Sequence, residues 1–491
     1  MTDINAVTHL LDNLNYELAH DDMHEPFIIV YPDDKKMLFR LNGKEFKRLL
    51  EYKYTTANNS GLAPTIYKAT IQSLEGKAIF DSDMIQPDVR LVGDYECVEI
   101  DLCDSTYDAV RITAEGFEIT QPQSNFIRRH GLLPLPRPIG LSQEELQQAI
   151  AEYKSLLNVT DEQFILVIGA VLMAFHPKGP YPVLFVQGEH GSAKGSLCEA
   201  IKAVVDPNKT PHTTLPKDVN DLVIQATSNR VLSFDNVSDY TFSNKISDMF
   251  AQVATGVGLR KRQLYTDDGE CVMCVSRMII INGIDDVVTQ SDLGSRTIGL
   301  KLSPVNVDNR ISKREFSARL SAVQPKFFSA MVKVVSEILR KFDDVKITSG
   351  ARMYDMIQWV TAGEEALGWE PGTFQTAYEI NQVEVMESGL GEDPFAAGLI
   401  SYMRNRPGWE GDATTLLSCL NAATDKGLRA SKNWPRNAIM LGKGLTRIET
   451  SLRQLGIQIS RTGRTASERV IQLTNHNLAV GNEVSLVDGG D

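Results

Sequence analysis

Val183 to Ile201 reads VLFVQGEHGSAKGSLCEAI: an apolar β-branched run, a loop of small residues from Gly188 to Gly195, then a pattern that suits a helix. A loop that grips a phosphate needs this order. Small residues let consecutive main-chain amides close around an anion at a helix N-terminus, and a lysine reaches the terminal phosphates. Lys194 stands at that place, and Gly188, Glu189, His190, Gly191, Ser192, Ala193, Lys194, Gly195, Ser196 and Leu197 are the candidate nucleotide-binding residues. The pattern GxxxxGK[ST] is met at Gly188 and Lys194. Ala193 stands where the second glycine would be and Gly195 where the Mg²⁺-binding hydroxyl would be, with Ser196 one residue on as its substitute.

Working outward, Val231 to Phe234 is a second apolar run, ending in Asp235 and Asn236. A carboxylate at the end of a strand beside a phosphate loop is what an Mg²⁺-bound triphosphate needs, because the ligand crevice lies outside the strands' carboxyl ends. A third run, Met278 to Ile281, ends in Asn282, and SDLGSR follows, with Arg296. An amide at a strand tip can orient attacking water, and an arginine beyond it can be presented to a neighbour's γ-phosphate.

In this order the motifs resemble those of the superfamily 3 helicases within the AAA+ ATPases, in particular the primase-helicase-like proteins of phages, plasmids and mobile elements. The likeness runs from Leu132 to Thr474 and includes a hairpin motif, ATGVGLRKRQLYTDDGECVMC, at Ala254 to Cys274. It implies that Lys194 is the phosphate lysine, Asp235 the metal-side acid, Asn282 the sensor, and Arg296 a finger acting across a subunit interface. It also implies ATP and Mg²⁺ as cofactors and a homo-hexameric ring around DNA. Asn236 stands where such proteins commonly have a second carboxylate, so the general base is left open. Metal ligation is expected from Asp235 and Ser196.

The chain has 491 residues and a net charge of −13, which as a total argues against a nucleic-acid partner. The total hides an asymmetry. Pro394 to Thr474 holds 12 Lys and Arg against 5 Asp and Glu, a balance of +7 that leaves −20 on the remainder. Helical candidates at 409–423 and 435–456, followed by IQIS, an arginine-bearing turn and RVIQL, have the order of a winged helix. Leu441, Leu445, Ile448, Leu452 and Leu455 recur at spacings of four and three and make a buried stripe. Lys443, Arg447, Thr450 and Gln454 line another face, with Arg461, Arg464 and Arg469 in or beside the wing. Arginine suits guanine edges and lysine suits phosphates. The candidate DNA-binding residues are therefore Lys443, Arg447, Arg461 and Arg464, with Arg260, Lys261 and Arg262 of the hairpin motif.

The fold expected is α/β. It comprises an N-terminal β-rich (α+β) domain at 1–131, an AAA+ P-loop core at 141–312, a helical lid or connector at 313–390, a winged helix at 394–474 and a disordered tail at 475–491. The prolines of LLPLPRPIG (132–140) mark the first boundary. Ser142 with Glu145 and Thr160 with Gln163 have capping-box spacing and predict helices at 143–157 and 161–175. Asp101, Asp104 and Asp108 read as a solvated acidic edge rather than metal ligands. Cys271 and Cys274 form a CxxC with no second pair nearby, so zinc is not expected. Six scattered cysteines, no secretory pattern and no apolar run of membrane length suit the cytoplasm.

The function expected is an ATP-dependent DNA helicase or translocase in replication of a phage or mobile element, with DNA, further copies of itself and a primase or other replication protein as partners. No primase motif is found in the N-terminal segment. Two alternatives stay open: a nucleotide-gated DNA-binding regulator with little hydrolysis, favoured by Gly195 and Asn236, and the ATPase of an anti-phage defence system.

Overall fold

The computed structural model describes residue 7 and residues 10–238, 241–256, 259–262, 270–273, 275–284, 291–391, 393–431, 434–462 and 470–479. Its centre is a parallel sheet with the order Val231–Val237, Met278–Gly283, Val183–Gly188, Thr297–Leu302. These strands are mostly apolar because both faces of the sheet are covered. Successive side chains of a strand point to opposite faces. Leu184, Val186 and Ile280 accordingly join one core, whereas Val183, Phe185, Ile279 and Ile281 join another. The first core is filled by helices Asp161–Ala174, Lys194–Val205, Lys313–Lys341, Tyr354–Ala362 and Thr373–Gly391. The second is filled by Val219–Ala226 and Asn244–Thr255.

The two capping boxes exist as paired hydrogen bonds and open helices Gln143–Ser155 and Asp161–Ala174. Each satisfies two amides that begin a helix without partners. Thr297–Leu302 is an edge strand that sequence patterning did not single out. Its outer backbone is nevertheless bonded: Asn381 takes both the amide (2.9 Å) and the carbonyl (2.6 Å) of Gly299. Gln382 donates to Thr297 O (2.6 Å) and Gln163 to Lys301 O (2.8 Å). Side-chain amides thus close an edge that would otherwise pair with another chain.

The N-terminal segment is less β-rich than its sequence suggested. Strands Tyr16–His20, Pro26–Val30, Met37–Arg40 and Asp83–Met84 form one sheet. Between its third and fourth strands stand two helices, Lys44–Asn58 and Pro64–Phe80. The stripe that makes the first of them was there to be read: Phe46, Leu50 and Tyr54 recur every fourth residue and are buried. The later strands, Leu91–Gly93, Cys97–Asp101, Ala109–Thr113 and Gly116–Thr120, form the expected antiparallel meander.

Neither 131 nor 313 is a boundary in packing. Val98, Ile100, Val110 and Ile112 of the meander share the first core with the central sheet and with the helices after 313. Ser336 of the long Lys313–Lys341 helix donates to Thr113 O (2.6 Å). Arg90 and Asp206, whose side chains are both 0 % exposed, form an ion pair at 3.3 Å between the N-terminal segment and the end of the Lys194–Val205 helix. Arg90 also donates to the carbonyls of Asp101 and Leu133. The 313–390 helices therefore act as a wall of the core rather than a separate lid.

The C-terminal part has its own core, built from helices Pro394–Met403, Ala413–Ala423 and Ala438–Gln454 and a three-stranded antiparallel sheet. Two expectations are corrected here. Residues 409–411, expected to start a helix, belong instead to strand Gly408–Gly411, paired with Val470–Asn475. The helix starts only after Asp412, whose carboxylate accepts from Thr414 N and Thr415 N. The ordered chain also continues past 474: Asn475 ends a strand, is buried and donates to Met403 O (3.0 Å), and residues 476–479 are helical. The rest of the expected tail, 480–491, lies outside the described residues.

Candidate nucleotide site and nucleic-acid surface

The Val183–Gly188 strand delivers the chain into the loop, and its last residue must be glycine. A Cβ at Gly188 would lie 2.6 Å from Ser192 Oγ and 2.8 Å from Leu302 O. Gly191 and Ala193 both take left-handed backbone, with φ of 82° and 63°. Ala193 thus occupies the conformation that a glycine holds without penalty, at a cost of about 1 kcal/mol. The loop is braced from outside: Asn158 Nδ2 donates to Ser192 O (3.1 Å) and Ser303 O (2.7 Å), and Val305 N donates to Gly191 O (3.0 Å).

Lys194 begins the Lys194–Val205 helix, and its ammonium donates to Gly188 O (2.5 Å) and Glu189 O (2.9 Å). Burial pushes its pKa below the ordinary lysine value, and Asp235 opposes that. The residues from His190 to Ser196 line a cavity of about 380 Å³ together with Glu199, His212, Asp235, Asn236, Asn282, Ile284 and Lys313. Lys194 with Ser196, Asp235 with Asn236, and Asn282, from three separate stretches of sequence, thus share one open pocket. Glu189 does not line it, its carbonyl instead accepting from the Lys194 ammonium, and Leu197 is buried in the helix's first turn.

The strand ends differ in freedom. Asp235 is exposed to the pocket, and its amide is held by Thr213 O (3.2 Å). Asn236 sits at a register shift between Phe234 and Val237 with φ of 56°. Asparagine tolerates left-handed backbone better than most residues, which gives a conformational reason for an amide there. Its N–H donates to Asn282 Oδ1 (3.1 Å), and Asn282 Nδ2 faces Cys198 Sγ at 3.7 Å. Asn282, 2 % exposed, joins the acidic strand end to the phosphate-loop helix.

Arg296 is not brought to this pocket. Its carbonyl accepts from Val183 N (3.0 Å), so it lies where the strands begin, whereas the phosphate loop follows their ends. Six strand residues separate the two levels, roughly 20 Å. Its guanidinium is paired with Asp292 at 2.8 Å, and Arg352 holds the same carboxylate at 2.6 Å.

Four groups near the loop escaped sequence reading. His212 and the ion-paired Glu199 and Lys313 line the pocket. Arg310 lies beside Gly191, 3.3 Å from where a Cβ would stand. Glu199 stands on the Lys194–Val205 helix but in no position the motif singles out, whereas strand pairing and chain return bring the other three there. A second cavity, of about 720 Å³, adjoins the first and shares Gly191, Ala193, Ser196 and Lys313 with it. Asn158, Asn306, Phe316 and Arg319 are among its walls.

For metals, the described residues contain no group of three or more His, Cys, Asp or Glu placed to hold an ion. Asp101, Asp104 and Asp108 are engaged by Arg128 and Arg137. Cys271 lies on a described strand and Cys274 outside the described residues.

Arg260, Lys261 and Arg262 lie on the first strand of a hairpin, Leu259–Arg262 paired with Glu270–Met273. In the C-terminal part, Leu441, Leu445, Ile448 and Leu452 are buried as the spacing required. Lys443 and Arg447 are exposed on the same helix. Two of the cations are already partnered: Arg447 with Asp393, and Arg461 with Glu449 at 2.6 Å. Arg464 and Arg469 lie outside the described residues.

Residues 151–370 match the family model of the actinomycete integrative conjugative element replication protein, and residues 395–482 match that of the AICE RepA C-terminal domain. No curated protein matches the chain. Among solved structures, an apo structure of the NrS-1 C-terminal region is similar with 11 % identity and a TM-score of 0.41, covering 97 % of this chain and 100 % of that one. A JCV helicase is similar over 51 % of this chain and 67 % of its own, with 14 % identity and a TM-score of 0.26. No helix among the described residues is long and apolar enough to cross a membrane. Each of the two family models matches less than half of the chain, and together they span its central and C-terminal parts.

Proposed function

We propose that the chain is an ATP-dependent DNA helicase or translocase of a mobile element's replication machinery, an AAA+ ATPase whose C-terminal domain is a winged helix. The observation that carries this reading is one cavity lined at once by Lys194, Asp235 and Asn282. ATP would take the loop amides and Lys194 on its phosphates, with its nucleoside toward the adjoining cavity walled by Asn158 and Phe316. Asp235 and Ser196 would hold Mg²⁺, which supplies charge neutralisation to the transferring phosphoryl group. Asn282 would orient water, Arg296 would act on a neighbouring subunit's nucleotide in a homo-hexameric ring, and Arg260, Lys261 and Arg262 would meet DNA phosphates. Lys443, Arg447, Arg461 and Arg464 would contact DNA from the C-terminal domain, and a primase or similar replication protein would be a further partner.

ATP turnover of the full chain with and without DNA, beside Lys194→Ala, tests this. DNA-stimulated phosphate release that disappears in the variant is the expected result, and equal release from the two proteins ends the reading. A second reading, a regulator that binds ATP with little hydrolysis, is favoured by Gly195. The space for a side chain there is open, since a Cβ would meet nothing within 4 Å. If turnover is limited by the missing hydroxyl, Gly195→Ser raises it. If Ser196 already serves the metal, the change does little.

A further inference from the structure

His212 lies outside every motif, yet it is fixed into the pocket from two sides. Its own segment adds to the central sheet: Thr213 N donates to Ser233 O (2.9 Å), Asp235 N donates to Thr213 O (3.2 Å), and Thr213 bridges Phe234 in parallel. Its ring then makes two contacts. Nδ1 lies 2.9 Å from Ser233 Oγ, on a residue that is 3 % exposed. The ring also lies beside Gly195, the two lining one pocket at the first turn of the Lys194–Val205 helix. The imidazole therefore spans from the strand that ends in Asp235 to the residue that lacks a side chain.

That position has a chemical meaning. Where a P-loop carries Ser or Thr, its hydroxyl and the strand-end carboxylate are joined through the metal they both hold. With Gly195 that link is absent. We propose that His212 is a positioning residue of the nucleotide site, tying the first turn of the phosphate-loop helix to the Asp235 strand in place of the missing hydroxyl. The proposal rests on the nucleotide-site reading above and extends it to a residue which that reading does not need. Burial pushes the His212 pKa below the ordinary imidazole value, and Asp235 and the Gly195 main chain oppose that in part. A neutral ring can accept at one nitrogen and donate at the other, which suits a bridge between a hydroxyl and a main-chain group.

The test uses the full chain and a fluorescent ATP analogue titrated with and without Mg²⁺, with unfolding of the free proteins followed alongside. His212→Ala is expected to weaken Mg²⁺-nucleotide binding about tenfold, the worth of one or two ordinary hydrogen bonds. His212→Gln, which keeps a donor and an acceptor, should retain most of the affinity. In the Gly195→Ser background the cost of His212→Ala should shrink to about twofold or less, because the hydroxyl restores the link. A general loss of folding would not be rescued by a hydroxyl at position 195. Equal binding by wild type and His212→Ala, with loss in Lys194→Ala, overturns the proposal and leaves the nucleotide site standing. An undiminished His212→Ala cost in the Gly195→Ser background also overturns it. Wild-type binding that is absent, or unchanged by Lys194→Ala, overturns the nucleotide reading itself and this proposal with it.

Discussion

The phosphate loop and the Ala438–Gln454 helix are both short cationic features, but the fold treats their charges in opposite ways. Among the described residues, Lys194 donates to carbonyls of its own loop and faces a pocket whose nearby acid, Asp235, is exposed. On the proposed reading its charge is held ready for an anion. Arg447 and Arg461 already have carboxylate partners in Asp393 and Glu449, whereas Lys443 on the same helix is exposed. A count of basic residues cannot distinguish a poised cation from a spent one. Exposed ion pairs contribute only about 0 to 1 kcal/mol, so a DNA phosphate can compete for these arginines, but the competition lowers what each adds.

The contrast can be broken most decisively at Lys194. Lys194→Ala should weaken nucleotide binding by about a hundredfold, the loss of charge-assisted bonds worth roughly 3 kcal/mol, measured by equilibrium titration. A comparable affinity in the variant would mean that this lysine is as spent as the arginines. At Asp235 the effect should split: Asp235→Asn keeps nucleotide binding within a few fold and loses Mg²⁺-dependent phosphate release by about a hundredfold or more. Parallel loss of both would point to misfolding.

Smaller effects test the C-terminal side. Lys443→Ala should lower DNA affinity and reduce the log-log salt slope by about 0.9, as for one lost phosphate contact. Arg447→Ala should change the slope by less, since its charge is shared with Asp393. The converse variant sharpens the point. Asp393 also caps helix Pro394–Met403 by accepting from Phe395 N (3.0 Å), a role asparagine keeps. Asp393→Asn therefore frees Arg447 without uncapping the helix and should tighten DNA binding about two- to threefold, an effect that disappears at high salt. The smallest effect is expected from Ala193→Gly. Relief of left-handed strain is offset by the greater freedom of glycine in the unfolded chain, leaving a net change below about 0.5 kcal/mol in denaturant unfolding.

Local patterns carried the reading of elements wherever the physics was local. The boxes at Ser142 and Thr160 and the leucine stripe from Leu441 to Leu452 were legible because their causes lie within a few residues of one another. Residues 409–411 were misread as helix because their conformation is set by Val470–Asn475, some sixty residues away. The two N-terminal helices were passed over in a segment whose flanking strands dominated the pattern. Of the pocket, Lys194, Asp235 and Asn282 could be named in advance, since Asp235 and Asn282 follow apolar strand runs and Lys194 closes the small-residue loop after another. His212, Lys313 and Arg310 could not, for no rule of spacing brings them to the loop, and Glu199, on the helix that Lys194 opens, has no motif position to mark it.

From the order of residues alone came the strand, small-residue loop and helix at 183–201, the acidic and amide strand ends, and the segregation of positive charge after 394. Backbone sterics, capping and periodicity act over a few residues and so leave their mark on the primary structure. Tertiary packing decided what those residues are free to do. It put Arg296 at the opposite end of the sheet from Lys194, spent two arginines on carboxylates, and merged the N-terminal meander and the 313–390 helices into one core. Partners for a charge or an apolar face are chosen by distance in space, and distance along the chain does not fix it.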